Sequence, residues 1–223
     1  MTAAARLRPI VTIDGPAGSG KTTVSKRLAE RAGLLRLDTG ATYRACALAA
    51  QRAGIPWDNG PKLGTLCAGL DLAFRREGGE LRVLLAGEDV STAIRTPDMG
   101  MGASDVSRHP QVREALVALQ RRMGADGGVV LEGRDTGTVV FPDAEVKFFL
   151  DAAAAVRALR RFREWKDEAP PFEEVLRDVL RRDVQDSTRD HSPLRMAEGA
   201  IYIDSTILGI EEVVDEMVRS LPK

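Results

Sequence analysis

The run Pro9-Ile10-Val11-Thr12-Ile13-Asp14 is nearly continuous in apolar residues and predicts a buried strand. From Lys21 to Ala32 the pattern changes to helical, and Gly33 then supplies a residue suited to the left-handed C′ position. Leu34 to Leu37 is a short apolar run that fits a second buried strand, ending at Asp38-Thr39-Gly40. A second helix is predicted over about Ala41 to Ala53, stopped by Gly54 and followed by Pro56. Strand, helix, strand, helix is the order of a parallel sheet with helices on both faces.

The pattern then breaks. Leu70–Arg75 and Leu81–Ala86 flank the turn-like Glu77-Gly78-Gly79-Glu80, a hairpin signature, and the short Asp89-Val90 segment follows. An antiparallel patch does not belong inside a parallel series, so residues 58–95 are read as a small β insertion. The series resumes with a helix from Pro110 to Met123, in which Val112, Leu116, Leu119 and Met123 share one face and Gly124 closes the element. Val129–Leu131 and Val146–Leu150 are further buried strands. Ala152 to Lys166 and Phe172 to about Arg189 read as helices separated by Ala169-Pro170-Pro171. Ile201–Ile203 is a last strand and Gly209 to Leu221 a last helix, with Val213, Met217 and Leu221 inward. The fold class is α/β: a core over residues 8–57 and 96–223, interrupted by the insertion, the whole chain forming a single functional unit.

Between the first strand and first helix lies Gly15-Pro16-Ala17-Gly18-Ser19-Gly20-Lys21-Thr22, a full match to G-x-x-x-x-G-K-[ST]. In that context glycines let successive backbone N–H groups turn inward around phosphate oxygens, and the helix N-terminus adds a favourable dipole. Lys21 reaches the β- and γ-phosphates, and the Thr22 hydroxyl is suited to Mg²⁺. A Gly-rich turn with a capping Thr is the bland alternative, which a strand before and a helix after make the weaker one. The loop alone does not say where a phosphoryl group goes.

Composition narrows the classes without choosing among kinases. The chain has 223 residues, enough for one α/β domain with a sizeable core, and its net charge of -1 offers no global basic field for nucleic acid or anionic lipid. Cys46 and Cys67 lack metal-ligand spacing and sit among small or apolar residues, which suits buried free thiols while leaving a disulfide open. No stretch is apolar enough for a signal peptide at Met1–Arg8 or for a membrane span elsewhere, which gives a cytoplasmic expectation. No heptad repeat demands association, so a monomer is expected.

Ligands in open α/β sheets bind at the carboxyl ends of the strands, and the polar clusters fall there. Asp38-Thr39-Gly40-Ala41-Thr42-Tyr43-Arg44 follows the second strand. Helix capping explains Asp38 or Thr39 equally well, but not Tyr43 and Arg44, an aromatic beside a guanidinium. Glu132-Gly133-Arg134-Asp135-Thr136-Gly137-Thr138 follows the third strand, where a surface turn with its own ion pair is the competing reading. Arg157, Arg160 and Arg161 lie at helical spacing with Arg163 nearby. Such a run is usually a solvated face, although the Pro break just beyond suits a lid over a triphosphate. Arg182, Asp186 and Arg189 fall at i, i+4 and i+7 on one stripe, and Val175 places that stripe beside the core rather than opposite it. Neither His109 nor His191 receives a catalytic role.

Taken together, the P-loop, the run from Asp38 to Arg44, and Gly133–Ala144 resemble the bacterial cytidylate kinases. So do Gly87-Glu88-Asp89-Val90-Ser91, Ile94-Arg95, Pro110-x-Val112-Arg113 and Ile203-Asp204-Ser205-Thr206. The likeness runs in order from about Ile10 to the last helix. It implies a P-loop kinase core, with residues 58–95 as the β insert of a nucleoside-monophosphate-binding region and a helical lid around 157–172. It further implies transfer of the γ-phosphoryl of ATP to CMP or dCMP with Mg²⁺. By position, Gly15, Pro16, Ala17, Gly18, Ser19, Gly20, Lys21, Thr22 and Thr23 would bind ATP. Thr39, Tyr43, Ser104, Arg113, Asp135, Arg182, Asp186 and Arg189 would line the acceptor site. Arg44 and Arg134 would hold the acceptor phosphate, while Arg157 and Arg160 would be lid arginines. Lys21, Arg134, Arg157 and Arg160 form the catalytic set. Thr39 stands where Ser is also expected; its hydroxyl is kept and a methyl is added.

The chemistry agrees with that placement. Cytosine offers an N4 amino donor to a carboxylate such as Asp135, and O2/N3 acceptors to Arg113 and Ser104, whereas uracil would face Asp135 with an acceptor. Another acceptor is the competing enzyme reading: UMP, AMP, dTMP, or a metabolite hydroxyl. A GTP-dependent switch is the reading from a different class, and no N-K-x-D element for guanine is found.

Overall fold

The computed structural model describes residues 6–77, 80–164 and 170–222. Three expectations fall outside them in part: the Gly78-Gly79 turn tip, the end of the helix predicted to reach Lys166, and Ala169 of the proline break. The described chain divides into two compact units, Met1–Arg36 with Asp126–Lys223, and Leu37–Ala125.

The first unit is built on a parallel sheet. Its strands β1 (Ile10–Asp14), β2 (Leu35–Asp38), β6 (Val129–Gly133), β7 (Val146–Asp151) and β8 (Ile201–Asp204) stand in the order β2-β6-β1-β7-β8, the division between the units falling within β2. Every residue of β1 is buried, which explains its lack of apolar–polar alternation: it is the central strand, with parallel neighbours on both sides. Helix α1 (Lys21–Ala32) packs beside α8 (Ile210–Arg219), and Val24, Leu28, Val213 and Met217 join Ile13, Phe148 and Leu150 in one apolar core. Gly33 closes α1 in the left-handed region at φ 63°, as the sequence predicts. Helices α6 (Ala154–Glu164) and α7 (Phe172–Thr188) pack against each other through Ala158, Val175 and Val179, with Phe162 edge-on to Phe172.

The second unit has its own core. Helix α2 (Thr39–Arg52) is rich in alanine, and Ala45, Cys46, Ala47 and Ala50 are fully buried, so neighbouring backbones approach closely. Strands β3 (Leu72–Glu77) and β4 (Glu80–Leu85) pair antiparallel from Leu72↔Leu85 to Glu77↔Glu80, and β5 (Glu88–Asp89) adds to β4, forming the expected antiparallel patch. Helix α5 (Pro110–Gly124) buries Val112 and Leu116 as its periodicity predicts.

Two helices escape the sequence pattern. Helix α3 (Gly60–Ala68) lies within the region read as β insertion, and α4 (Pro97–Val106) precedes α5. Internal glycines, Gly64 in the first and Gly100 and Gly102 in the second, weaken the helical signal. Their start signals are nonetheless present: the Asn59 side chain accepts from Lys62 N at 3.2 Å, and Thr96 from Met99 N at 3.2 Å, each followed by proline in the first turn. Gly102 serves packing, since a Cβ there would stand 2.7 Å from the Trp57 ring and 2.9 Å from Ala47. Helix α2 also begins earlier than expected, at Thr39, because Asp38 caps it. Among the described residues, no helix is long and apolar enough to cross a membrane.

Candidate active site

The P-loop runs from the end of β1 into α1. Gly15 has φ 155°, and a Cβ there would stand 2.0 Å from Leu150 O, so only glycine lets the loop leave the strand beside β7. Gly20, left-handed at φ 94°, precedes the first turn of α1. Lys21 is buried, and its Nζ donates to Pro16 O at 2.6 Å and to Ser19 Oγ at 3.2 Å, folding the side chain back over the loop. Burial pulls the Lys21 ammonium well below its ordinary pKa; the positive charge of Arg134 adds to this, and Glu132, Asp14 and Asp186 oppose it.

The two arginines expected over the transferred group, Arg157 and Arg160, meet the P-loop at its carbonyl oxygens. Arg157 Nη1 donates to Ala17 O at 3.1 Å, while its guanidinium makes two bonds to Asp183, at 2.9 and 2.6 Å. Arg160 Nη1 donates to Ser19 O at 3.3 Å and to Ser205 Oγ at 3.1 Å. Ser205 Oγ in turn donates to Ser19 O at 3.2 Å or to Asp151 O at 2.9 Å. Carbonyls that would repel a phosphate are thereby occupied by cations and a hydroxyl.

Two carboxylates flank the loop. Glu132, near the end of β6, is buried and accepts from Thr22 Oγ1 at 2.9 Å, Ser25 Oγ at 3.0 Å and Arg36 Nη2 at 2.5 Å. Asp14, the last residue of β1, accepts from Thr136 N at 2.8 Å, Thr136 Oγ1 at 2.7 Å and Gly137 N at 2.7 Å. Burial raises the Asp14 pKa, against the pull of those three donors. Sequence reasoning gave neither a role. The available signal was position: one directly precedes the P-loop, and the other is the penultimate residue of the neighbouring strand.

Parallel pairing sets Asp14 opposite Gly133, so Arg134 and Asp135 emerge from β6 at the same edge as the P-loop. The backbone then widens into a π-helical turn over Thr136–Val140, and the Asp135 carbonyl accepts from Val140 N at 3.2 Å. Asp135 is buried. Arg134 Nε donates to Asp186 Oδ2 at 2.8 Å, and Arg189 Nη1 stands 3.9 Å from Asp186 Oδ1. Burial would raise the Asp186 pKa, but Arg134, Arg189 and Arg182 together outweigh it and hold the carboxyl below its usual range. Thus Asp186, on the face predicted for α7, binds the strand-end arginine, whereas Arg189 does not continue the predicted stripe: the helix ends at Thr188 and Arg189 already has extended backbone.

The remaining predicted residues lie in the second unit. Asp38 takes the bland role, accepting from Ala41 N at 3.0 Å as the cap of α2, and also pairs with Arg44 Nη2 at 2.7 Å. Thr39 is buried, and its carbonyl accepts from Thr42 Oγ1 at 2.7 Å. The Arg113 guanidinium lies 5.5 Å from the Tyr43 ring centroid, so these two predicted residues meet as a buried cation–π pair. Arg113 Nη1 also donates to Ser107 O at 3.3 Å. Ser104 sits on α4 and supplies the carbonyl that accepts from Ser107 Oγ at 2.8 Å.

Comparison with known proteins agrees with this architecture. The family model described as cytidylate kinase matches residues 11–223. The chain is 54% identical over 214 residues to a cytidylate kinase of Geobacter sp. strain M21, covering 95% of this chain and 92% of the relative. It is 53% identical over 219 residues to a cytidylate kinase of Geobacter sulfurreducens, covering 97% and 94% respectively. Among solved structures, an uncharacterized protein from Eubacterium ventriosum aligns with a TM-score of 0.50 at 11% identity, covering 95% of this chain and 97% of that one, a likeness of fold alone.

Proposed function

The chain belongs to the cytidylate kinase family, and from that membership we propose how its residues carry the γ-phosphoryl group of ATP to CMP or dCMP. The observation that supports the assignment of roles is the sheet register. It sets the P-loop and the Arg134-Asp135 segment at one edge, with Asp186 and Arg189 drawn to the same segment.

Residues Gly15 to Thr23 bind ATP. The P-loop N–H groups and Lys21 receive the phosphates, and the bonds of Lys21 to Pro16 O and Ser19 Oγ are exchanged for phosphate oxygens. That exchange returns the ammonium to a setting that favours its charge. Thr39, Tyr43, Ser104 and Arg113 bind the acceptor nucleotide, as do Asp135, Arg182, Asp186 and Arg189. Arg44 and Arg134 hold its phosphate. Asp135 accepts from the N4 amino group of cytosine, which uracil lacks. Arg157 and Arg160 act through the loop they grip, keeping its carbonyls engaged and its N–H groups aligned. They also add positive charge behind the transferred group.

The Mg²⁺ that accompanies ATP finds compatible chemistry here. Thr22 Oγ1 and Glu132 are hard oxygen donors in mutual contact, and Mg²⁺ in such sites is held largely by phosphates and water. Thr22 is the residue that would hold it, and the ion supplies charge neutralisation across the phosphates. No strong general base is needed, because the acceptor phosphate already carries a nucleophilic oxygen. Catalysis is alignment and charge neutralisation by Lys21 and the arginines.

The test is an ADP-release assay with CMP, dCMP, UMP, AMP and dTMP at fixed ATP and Mg²⁺. Turnover with CMP and dCMP well above the other three supports the reading. Equal turnover of UMP, or preference for AMP or dTMP, overturns the role given to Asp135.

A further inference from the structure

The two cysteines of the chain, 21 residues apart in sequence, meet in the core of the second unit. Cys46 lies mid-way along α2 and is fully buried; Cys67 lies in the last turn of α3 and is 6% exposed. Their sulfurs are 2.6 Å apart, closer than non-bonded heavy atoms ordinarily pack, at about 3.5–4 Å. The chain path brings them together for its own reasons. Helix α2 is lined by small residues, and Leu63 and Cys67 of α3 enter the same apolar cluster as Ala45, Cys46 and Ala49. Among the described residues no cluster of three or more His, Cys, Asp or Glu could hold a metal. The function assigned above uses neither cysteine.

We propose that Cys46 and Cys67 form a reversible disulfide site, oxidised by a peroxide, that staples α2 to α3 within the second unit. The chemistry divides between the two thiols. The hydrogen bond shared with Cys46 lowers the Cys67 pKa against the effect of burial, whereas the same contact and burial raise that of Cys46. Cys67, with the more exposed edge, is therefore the first nucleophile. Its thiolate attacks one peroxide oxygen; the O–O bond breaks, hydroxide leaves and takes up a proton as water, and Cys67 becomes a sulfenic acid. Cys46 then attacks the Cys67 sulfur, the S–O bond breaks and a second water leaves. Two thiols and one hydrogen peroxide give one disulfide and two waters. A dithiol reductant reverses the change.

The staple falls in the frame that carries other residues of interest. Helix α2 bears Tyr43 and Arg44, and α3 packs on α5, where a Cβ at Gly64 would stand 2.7 Å from Gln111. Joining residues 46 and 67 closes a short loop of the unfolded chain, which stabilises the unit that contains both.

The experiment treats the reduced full-length protein with stoichiometric hydrogen peroxide, denatures it in an alkylating reagent and maps the peptides without reduction. The expected result is one linked peptide pair containing Cys46 and Cys67, an intact mass about 2 Da lower, and no alkylated cysteine. Dithiothreitol should restore both thiols. The oxidised protein should melt about 5–10 °C above the reduced one. In Cys67→Ser, the same treatment should leave Cys46 alkylatable and the melting temperature unmoved. Two alkylated cysteines after peroxide, sulfinic or sulfonic acids without a link, or a link only between separate chains would each overturn the proposal.

Discussion

Arg134 Nε donates to Asp186 Oδ2 at 2.8 Å, and three residues earlier on the same helix Asp183 holds Arg157 through two bonds of 2.9 and 2.6 Å. One turn of α7 thus anchors both the arginine that follows β6 and the arginine that grips the P-loop carbonyl of Ala17. Residues separated by a strand, a helix and a loop are brought to one mechanical support. Disturbing α7 should therefore disturb the arginines before it disturbs the sheet.

Asp186 makes that dependence measurable through pH. Its folded carboxyl lies below the usual range, so its ion pairs contribute stability above the unfolded value of about 3.9, and that contribution is lost as pH falls through the lower folded value. Asp186→Asn should lower the urea midpoint at pH 7, and the gap from wild type should close below about pH 4. A gap that stayed constant down to pH 2 would contradict the pairing.

Lys21→Ala should lower kcat by about 10²–10³ while moving the thermal midpoint by only a few degrees. The reason for the small stability effect is visible: the ammonium is buried against Pro16 O and Ser19 Oγ with its charge disfavoured, so its removal relieves a desolvation cost. Near-wild-type turnover in single-turnover kinetics would remove Lys21 from the catalytic set.

Asp135→Asn tests base selection. An amide can present a donor where the carboxylate presents only acceptors, so kcat/KM for CMP should fall by about 10²-fold or more and the CMP-over-UMP ratio should shrink. Parallel loss on both acceptors, with the ratio intact, would assign Asp135 to scaffold alone.

Much of this was legible from the residues, for identifiable reasons. β1 and β6 declare themselves because central parallel strands are buried on both faces, and α1 because Gly33 and the P-loop mark its ends. The hidden parts are those where glycine serves packing: α3 and α4 carry internal glycines that erase helical periodicity, and Gly102 exists to admit Trp57. Among the candidate site residues, position at a strand end singles out Arg134 and Asp135, and position on a helix face singles out Arg182 and Asp186, while Arg189 lies past the helix end. Glu132 and Asp14 were not given roles, because a carboxylate ending a strand looks the same whether it meets solvent or three buried donors. Asp38 shows the opposite outcome, where the capping explanation held.

Glu132→Gln should destabilise the first unit by about 3 kcal/mol, read from denaturant midpoints. Glutamine keeps the shape and one acceptor, but it leaves the Arg36 guanidinium facing a neutral amide in a mostly buried setting. Glu132→Gln paired with Arg36→Gln should cost less than the sum of the single changes, because the second removes the stranded charge. Strict additivity would mean that the two side chains do not act as a pair.

Gly15→Ala offers the sharpest structural test, because two independent terms act in the same direction. The backbone at φ 155° is one an L side chain rarely adopts, and the added methyl would stand 2.0 Å from Leu150 O, a main-chain atom near the end of β7. A flexible side chain could move aside; a backbone carbonyl of β7, at a residue registered with Ile203 of β8, cannot do so without shifting the strand. The expected loss exceeds about 3 kcal/mol, with ATP binding reduced even where the protein remains folded, since the loop must shift to relieve the clash. Gly54→Ala is the matched control. Its φ of 64° carries the backbone strain, but no atom lies within 4 Å of the added methyl, so it should cost only about 1 kcal/mol. If the two substitutions cost the same in denaturant unfolding, the close approach to Leu150 is not what requires glycine at the mouth of the P-loop.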